Sequence, residues 1–309
     1  MNEKTYSTPL GKIHYWVHLI SPDAITLVFL PGLTADHRLF DKQIVYFEGI
    51  YNVLVWDAPG HAASWPFAFD FDLMDKARWL DGILEKEEIT KPVIVGQSMG
   101  GYVGQAYAQT YPEKLKGFVS IDSAPLQRKY MTKPELWLLK RMEPVYRHYP
   151  WKALLESGTK GVALSEYGRN LMRDMMLVYD GDQERYAKLS GHGFRILAEA
   201  VEKDLPYEIK CSALLICGSK FVGCEKSMVI FMKSVSTKRR CKRMWSYIAG
   251  GVFLALAMYF IVQGIRCGAA VRESKNRLAA YNAQTAALSY GEITYVDSGE
   301  GEGLWGVSD

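Results

Sequence analysis

Short apolar runs separated by polar, glycine-bearing turns dominate the first half of the chain. Residues 25–30 (ITLVFL), 51–56 (YNVLVW) and 91–95 (KPVIV) are rich in β-branched and aromatic side chains, and each reads as a buried strand. Residues 213–217 (ALLIC) repeat that pattern after a long interval. Between 99 and 111 the small residues Gly100, Gly101, Gly104, Ala106 and Ala108 lie along a predicted helix. From about 124 to 207 the strand pattern stops, and Leu136, Leu138, Leu139, Met142, Val145, Tyr146 and Tyr149 recur near i, i+3, i+4. That stretch predicts a helical layer, and its Trp137, Trp151, Met172, Met175, Met176, Tyr179 and Phe194 suit an apolar acyl or alcohol group. Strands alternating with helices place the chain in the α/β class.

Candidate chemistry sits where those runs end. The third strand runs into Gly96-Gln97-Ser98-Met99-Gly100 and then directly into the helix. A tight strand-to-helix turn of this kind lifts the serine hydroxyl above the sheet, and the helix N-terminus favours developing negative charge. The strand at 25–30 ends in Pro31-Gly32-Leu33. The backbone N–H groups of Leu33 and Met99 are therefore the candidate oxyanion donors that acyl transfer requires. The strand at 51–56 closes in Asp57-Ala58-Pro59-Gly60-His61-Ala62-Ala63-Ser64, a loop that packs beside the nucleophile, in which His61 reads as structural.

These three motifs, in this order, resemble the α/β-hydrolase superfamily over about residues 6 to 220. The resemblance implies an eight-stranded, mostly parallel sheet, a helical cap at about 124–207, and a Ser–Asp–His triad acting on a carboxylic ester or related acyl bond. Ser98 matches the family nucleophile. An aspartate is expected after the strand at 213–217, but Gly218-Ser219-Lys220 is followed by Phe221. The last strand and its histidine-bearing loop do not appear, so the hydrolase reads as incomplete at its C-terminal end. The remaining candidates are Asp122, which ends the strand after the nucleophile helix, and His192, which lies in the cap. Without an imidazole beside it a serine hydroxyl stays protonated and is a poor nucleophile.

Composition changes near residue 221. All five cysteines lie beyond residue 210, in no disulfide or zinc spacing, which fits a reducing compartment. A basic junction, 221–243, carries Lys238, Arg239, Arg240, Lys242 and Arg243. Residues 244–265 then hold no charge over about 22 positions, long enough for a transmembrane helix, with Trp245, Tyr247 and Tyr259 as interfacial anchors. The heavier basic flank predicts a single-pass membrane protein with its hydrolase domain in the cytoplasm and the lipid bilayer as partner. No N-terminal signal pattern is present. Residues 266–309 read as a polar, alanine-rich helix to residue 288, followed by residues 291–296, which echo 11–16 like the start of a second hydrolase sheet. The formal net charge of +3 and the absence of binding motifs argue against nucleic acid, and no metal or cofactor is implied.

Two function classes follow. One is a serine hydrolase of small-molecule ester or acyl substrates. The other is a catalytically impaired, membrane-tethered protein with an incomplete hydrolase fold, arising by gene fusion or an assembly artefact with a junction near 220–232.

Overall fold

The computed structural model describes residues 1–163, 165–205, 209–216, 284–288 and 291–295. Its centre is a seven-stranded sheet of β1 (Asn2–Thr8), β2 (Gly11–His18), β3 (Thr26–Leu30), β4 (Asn52–Trp56), β5 (Val93–Gln97), β6 (Gly117–Ile121) and β7 (Ser212–Ile216). The spatial order is β1-β2-β4-β3-β5-β6-β7. The first two strands form an antiparallel hairpin, and β2 pairs antiparallel with β4. All later pairings are parallel. The order reverses between β3 and β5, which makes their C-terminal ends the topological switch point where such sheets take their ligands.

The predicted strands fall within two residues of the observed ones at either end, because runs such as Leu27-Val28-Phe29-Leu30 can be buried on both faces only in the middle of a layered sheet. Val28, Leu30, Leu54, Trp56, Ile94 and Phe118 join one core with α2 (Leu73–Lys86) and α3 (Met99–Thr110). Leu27, Phe29, Val53, Val55 and Val93 face the other way, against Phe40 and Ile44, the latter on α1 (Asp41–Phe47). Alternate residues of one strand thus feed two cores. Each fully buried side chain of this size contributes about 1.5–3 kcal/mol relative to exposure. The start of α2 is set by a reciprocal capping box between Asp72 and Asp75.

Between β6 and β7 lie five helices: α4 (Lys133–Leu139), α5 (Met142–His148), α6 (Trp151–Val162), α7 (Glu166–Met176) and α8 (Gln183–Lys203). The apolar series from Leu136 to Tyr149 is divided at Lys140-Arg141 into two helices, and α5 packs along α8. Beyond the sheet, β8 (Gln284–Leu288) and β9 (Gly291–Tyr295) form a separate antiparallel hairpin. The alanine-rich pattern predicts a helix through Gln284–Leu288, but the structure forms a strand there. Pairing with β9, whose Ile293, Thr294 and Tyr295 favour extended backbone, overrides the helix propensity of Ala286 and Ala287. No helix among the described residues is long and apolar enough to cross a membrane. The expected span at 244–265, the basic junction at 221–243 and the position of Phe221 lie outside the described residues.

Candidate active site

Ser98 sits between β5 and α3 with φ 50° and ψ −114°, a left-handed, sparsely populated conformation for a residue with a side chain. Such backbone strain costs on the order of 1–3 kcal/mol and persists only when neighbours enforce it. Here they do. The Ser98 N–H donates to the Ile121 carbonyl at 2.8 Å, while its own carbonyl accepts from the Gly101 and Tyr102 N–H groups at 3.0 and 3.2 Å. The Ser123 hydroxyl donates to the same carbonyl at 2.8 Å. With its backbone pinned at both ends, the serine keeps a half-buried side chain at the C-terminal edge of the sheet.

The end of β3 presses directly on this turn. A methyl group at Gly100 would stand 1.8 Å from the Leu30 carbonyl oxygen, so no other residue fits the first turn of α3. A methyl at Gly32 would lie 3.3 Å from Ser98 Cβ. Leu33 follows that contact and Met99 begins α3, so the two candidate oxyanion amides flank Ser98 at the switch point.

The loop that carries Leu33 is tied down from below. Asp57, fully buried at the end of β4, accepts from the His37 N–H at 2.8 Å and from His37 Nδ1 at 2.9 Å on one oxygen. Its other oxygen accepts from the Ala63 N–H at 2.9 Å. The His37 ring stacks on Trp16 at 3.7 Å. Burial opposes the charged imidazole, but Asp57, with Asp36 and Asp41, outweighs it and holds His37 above its ordinary pKa. Asp36 takes a two-pronged ion pair from Arg38, at 2.9 Å from Nε and 2.6 Å from a terminal nitrogen.

The acid and base candidates are placed differently from each other. Asp122 ends β6 with φ 51°, its N–H donating to the Ile216 carbonyl at 2.9 Å. It stands one residue from Ser123, which holds the Ser98 carbonyl, so it shares the switch-point edge with Ser98. His192 is buried on α8, and its ring packs on Phe71 at 4.3 Å and Phe69 at 5.1 Å. Its Nδ1 accepts from Arg195 at 2.8 Å. Burial, with Lys76, Arg195 and His61 nearby, lowers its pKa to about 3. α8 does touch the oxyanion loop, but through Gly193, where a methyl would lie 2.5 Å from Leu33 Cδ1. His61 is also buried, with Nδ1 donating to the Pro59 carbonyl at 3.1 Å.

Residues 25–149 match the family described as alpha/beta hydrolase fold. This chain carries that fold. It is similar to the proline iminopeptidase of Neisseria gonorrhoeae, 26% identical over 210 residues that make up 63% of this chain and 64% of the relative. It is similar also to 3-oxoadipate enol-lactonase 2 of Acinetobacter baylyi, 28% identical over 102 residues, 33% of this chain and 38% of the relative. The chain thus spans less than two thirds of the length of either relative. Among solved structures, a thermophilic esterase from Thermogutta terrifontis aligns with TM-score 0.58 at 18% identity, over 74% of this chain and 85% of that one, a likeness of fold.

Among the described residues one group of side chains has the makings of a metal site, Asp36, His37 and Asp57. It does not fit a cation. Both Asp57 oxygens already accept from N–H donors, and the Arg38 guanidinium occupies the Asp36 carboxylate. Sequence reasoning passed over Ser123 and the Asp57–His37 tie. Asp57 had a signal in its loop motif; Ser123 had none, because its role depends on two strands lying side by side.

Proposed function

We propose that the protein is a serine hydrolase of small-molecule carboxylic esters or related acyl compounds. Ser98 is the nucleophile, and the Leu33 and Met99 amides stabilise the tetrahedral oxyanion. One observation carries the reading: the strained backbone of Ser98 is pinned on both sides and packed against Gly32, a conformation with no packing advantage of its own. The relatives named as a lactonase and a peptidase support acyl chemistry in general. Asp122 is the acid that the fold offers at the same edge.

A second reading has its own observation. His192 is engaged by Phe69, Phe71 and Arg195 and held neutral, so it makes a poor base for Ser98. A chain lacking a base retains only the slow chemistry that oxyanion donors and binding provide. This is the impaired, membrane-tethered form of the proposal, supported by the uncharged run at 244–265 and its basic flanks.

Labelling by a fluorophosphonate probe, with Ser98→Ala as control, separates the two. Labelling within minutes that disappears in Ser98→Ala supports the active enzyme. Equal, slow labelling of both proteins refutes it. Carbonate extraction tests the tether: retention in the membrane pellet is expected, and release into the supernatant refutes it.

A further inference from the structure

Away from Ser98, a group of basic side chains is buried at the seam between α8, the start of α2 and the loop after β4. Lys76, on α2, is 1% exposed, His61 1% and His192 4%. Phe69 forms the common wall. It packs on the His192 ring, and a methyl on Gly60, next to His61, would meet Phe69 at 2.8 Å and Leu189 of α8 at 3.3 Å. Lys76 Nζ lies 5.7 Å from the Phe71 ring that also covers His192. Arg185, held between the Trp65 and Tyr179 rings at 4.9 Å from each, donates to the Ala62 carbonyl beside His61.

The charges here are all of one sign. Lys76, Arg195 and His61 bear on His192, and Lys76 and Arg185 bear on His61. Lys76 makes no ion pair among the described residues, and burial lowers its pKa to about 8. Burying an ammonium without a counter-charge is expensive, which is why buried lysines are normally paired.

Two ring nitrogens in this seam are also unpartnered. His192 Nδ1 accepts from Arg195, which leaves Nε2 as an N–H donor. His61 Nδ1 donates to Pro59, which leaves Nε2 as an acceptor. Both Nε2 atoms are buried without a partner among the described residues. A divalent metal does not suit them, because His192 presents a hydrogen there and Lys76, Arg185 and Arg195 repel cations.

A cavity of about 360 Å3 borders this group between α5, α8 and the Phe69 segment, with His192 in its wall beside Lys140, Lys188, Arg195 and Glu143. Glu143 is paired with Arg147, and Lys140 with Glu202. Lys188 and Arg195 reach Glu184 and Glu199 only at 3.4 and 3.7 Å. The cavity therefore presents donors and positive charge, with its one carboxylate occupied.

We propose that this cavity and the basic group behind it bind a small anion, a short carboxylate or an inorganic ion, held by His192 Nε2–H and the Lys76 ammonium. Burial lowers the Lys76 pKa to about 8, so its ammonium becomes fully charged as pH falls from 8 to 6 and occupancy strengthens over that range. Arg195 stands at the mouth and draws the anion in.

The test is thermal melting of the full 309-residue chain at constant ionic strength, with sodium gluconate replaced stepwise by formate or by chloride. Gluconate is too large for the seam and serves as baseline. Formate or chloride raises Tm by about 3 °C or more at pH 6 and by less at pH 8. A response to formate alone assigns the site to carboxylates; a response that includes chloride assigns it to small anions in general. Lys76→Met, which keeps the buried stem, abolishes the response. Arg195→Gln, a change at the surface, keeps the fold and weakens the apparent affinity about fivefold or more. Equal Tm in all three salts overturns the proposal, as does an undiminished response in Lys76→Met.

Discussion

Two histidines buried in neutral form make this protein labile to mild acid. His61 and His192 both have their pKa lowered to about 3, by burial first and by Lys76 next. In the unfolded chain each returns to about 6.5. Above pH 6.5 both states are neutral and the pair is silent. As pH falls below 6.5 the unfolded state takes up protons that the native state refuses, so stability is lost progressively down to about pH 3. At pH 5 the cost is about 2 kcal/mol for each histidine and about 4 kcal/mol for the pair. That is a large share of the 5–15 kcal/mol typical of a whole domain. His37 has the opposite sign: its raised pKa adds stability as pH falls toward 6.5 and is constant below it. Asp72 and Glu87, both held below their usual range, lose their contributions only below about pH 4.5. Asp41, raised above its usual range by burial, has the opposite sign and adds stability as pH falls, so the loss between 6.5 and 5 is set by the two buried rings. Urea unfolding followed by tryptophan fluorescence, in gluconate buffers from pH 7.5 to 5, reads the effect directly. The free energy should change little down to 6.5 and then steepen toward about 2.7 kcal/mol per pH unit. His192→Phe, which extends the Phe69–Phe71 packing, should halve that slope. A midpoint unchanged between pH 6.5 and 5 would refute the assignment of two buried neutral imidazoles.

Two further outcomes follow from contacts at the site and its scaffold. Gly100→Ala forces a methyl to within 1.8 Å of the Leu30 carbonyl, so soluble folded protein and fluorophosphonate labelling should both be lost, as judged by size-exclusion chromatography and gel fluorescence. Buried Asn52 accepts from the Ile20 and Ser21 N–H groups and donates to the Ser21 and Ala24 carbonyls. Asn52→Leu removes the partner of the Ile20 and Ser21 N–H groups and of the Ala24 carbonyl, while the Ser21 carbonyl keeps the Ala24 N–H, and should lower urea stability by about 2–4 kcal/mol with Ser98 labelling retained at low urea.

Local pattern is enough to find β3, β4, β5 and β7, the turn at Ser98 and the loop at Leu33. Each of these depends on neighbours in the chain: an apolar run specifies a buried strand, and glycines at fixed offsets specify the only residues that clear the turn. The alanine-rich reading of Gln284–Leu288 failed because strand pairing outweighs a weak helical preference. His192 was nominated as a base from its residue type and its place in the cap. A helix turns a side chain by about 100° per residue, so Gly193 rather than His192 meets Leu33, and His192 turns into the Phe69–Phe71 wall. Nothing near Lys76 in the sequence marks it as buried, because the surfaces that cover it come from α8 and the loop after β4, more than a hundred positions away for the helix and about fifteen for the loop. The chain alone therefore determined the inner strands of the sheet and the turn that carries Ser98. Which charges and rings face one another was decided only by packing, because burial and proton affinity depend on atoms brought together across the fold.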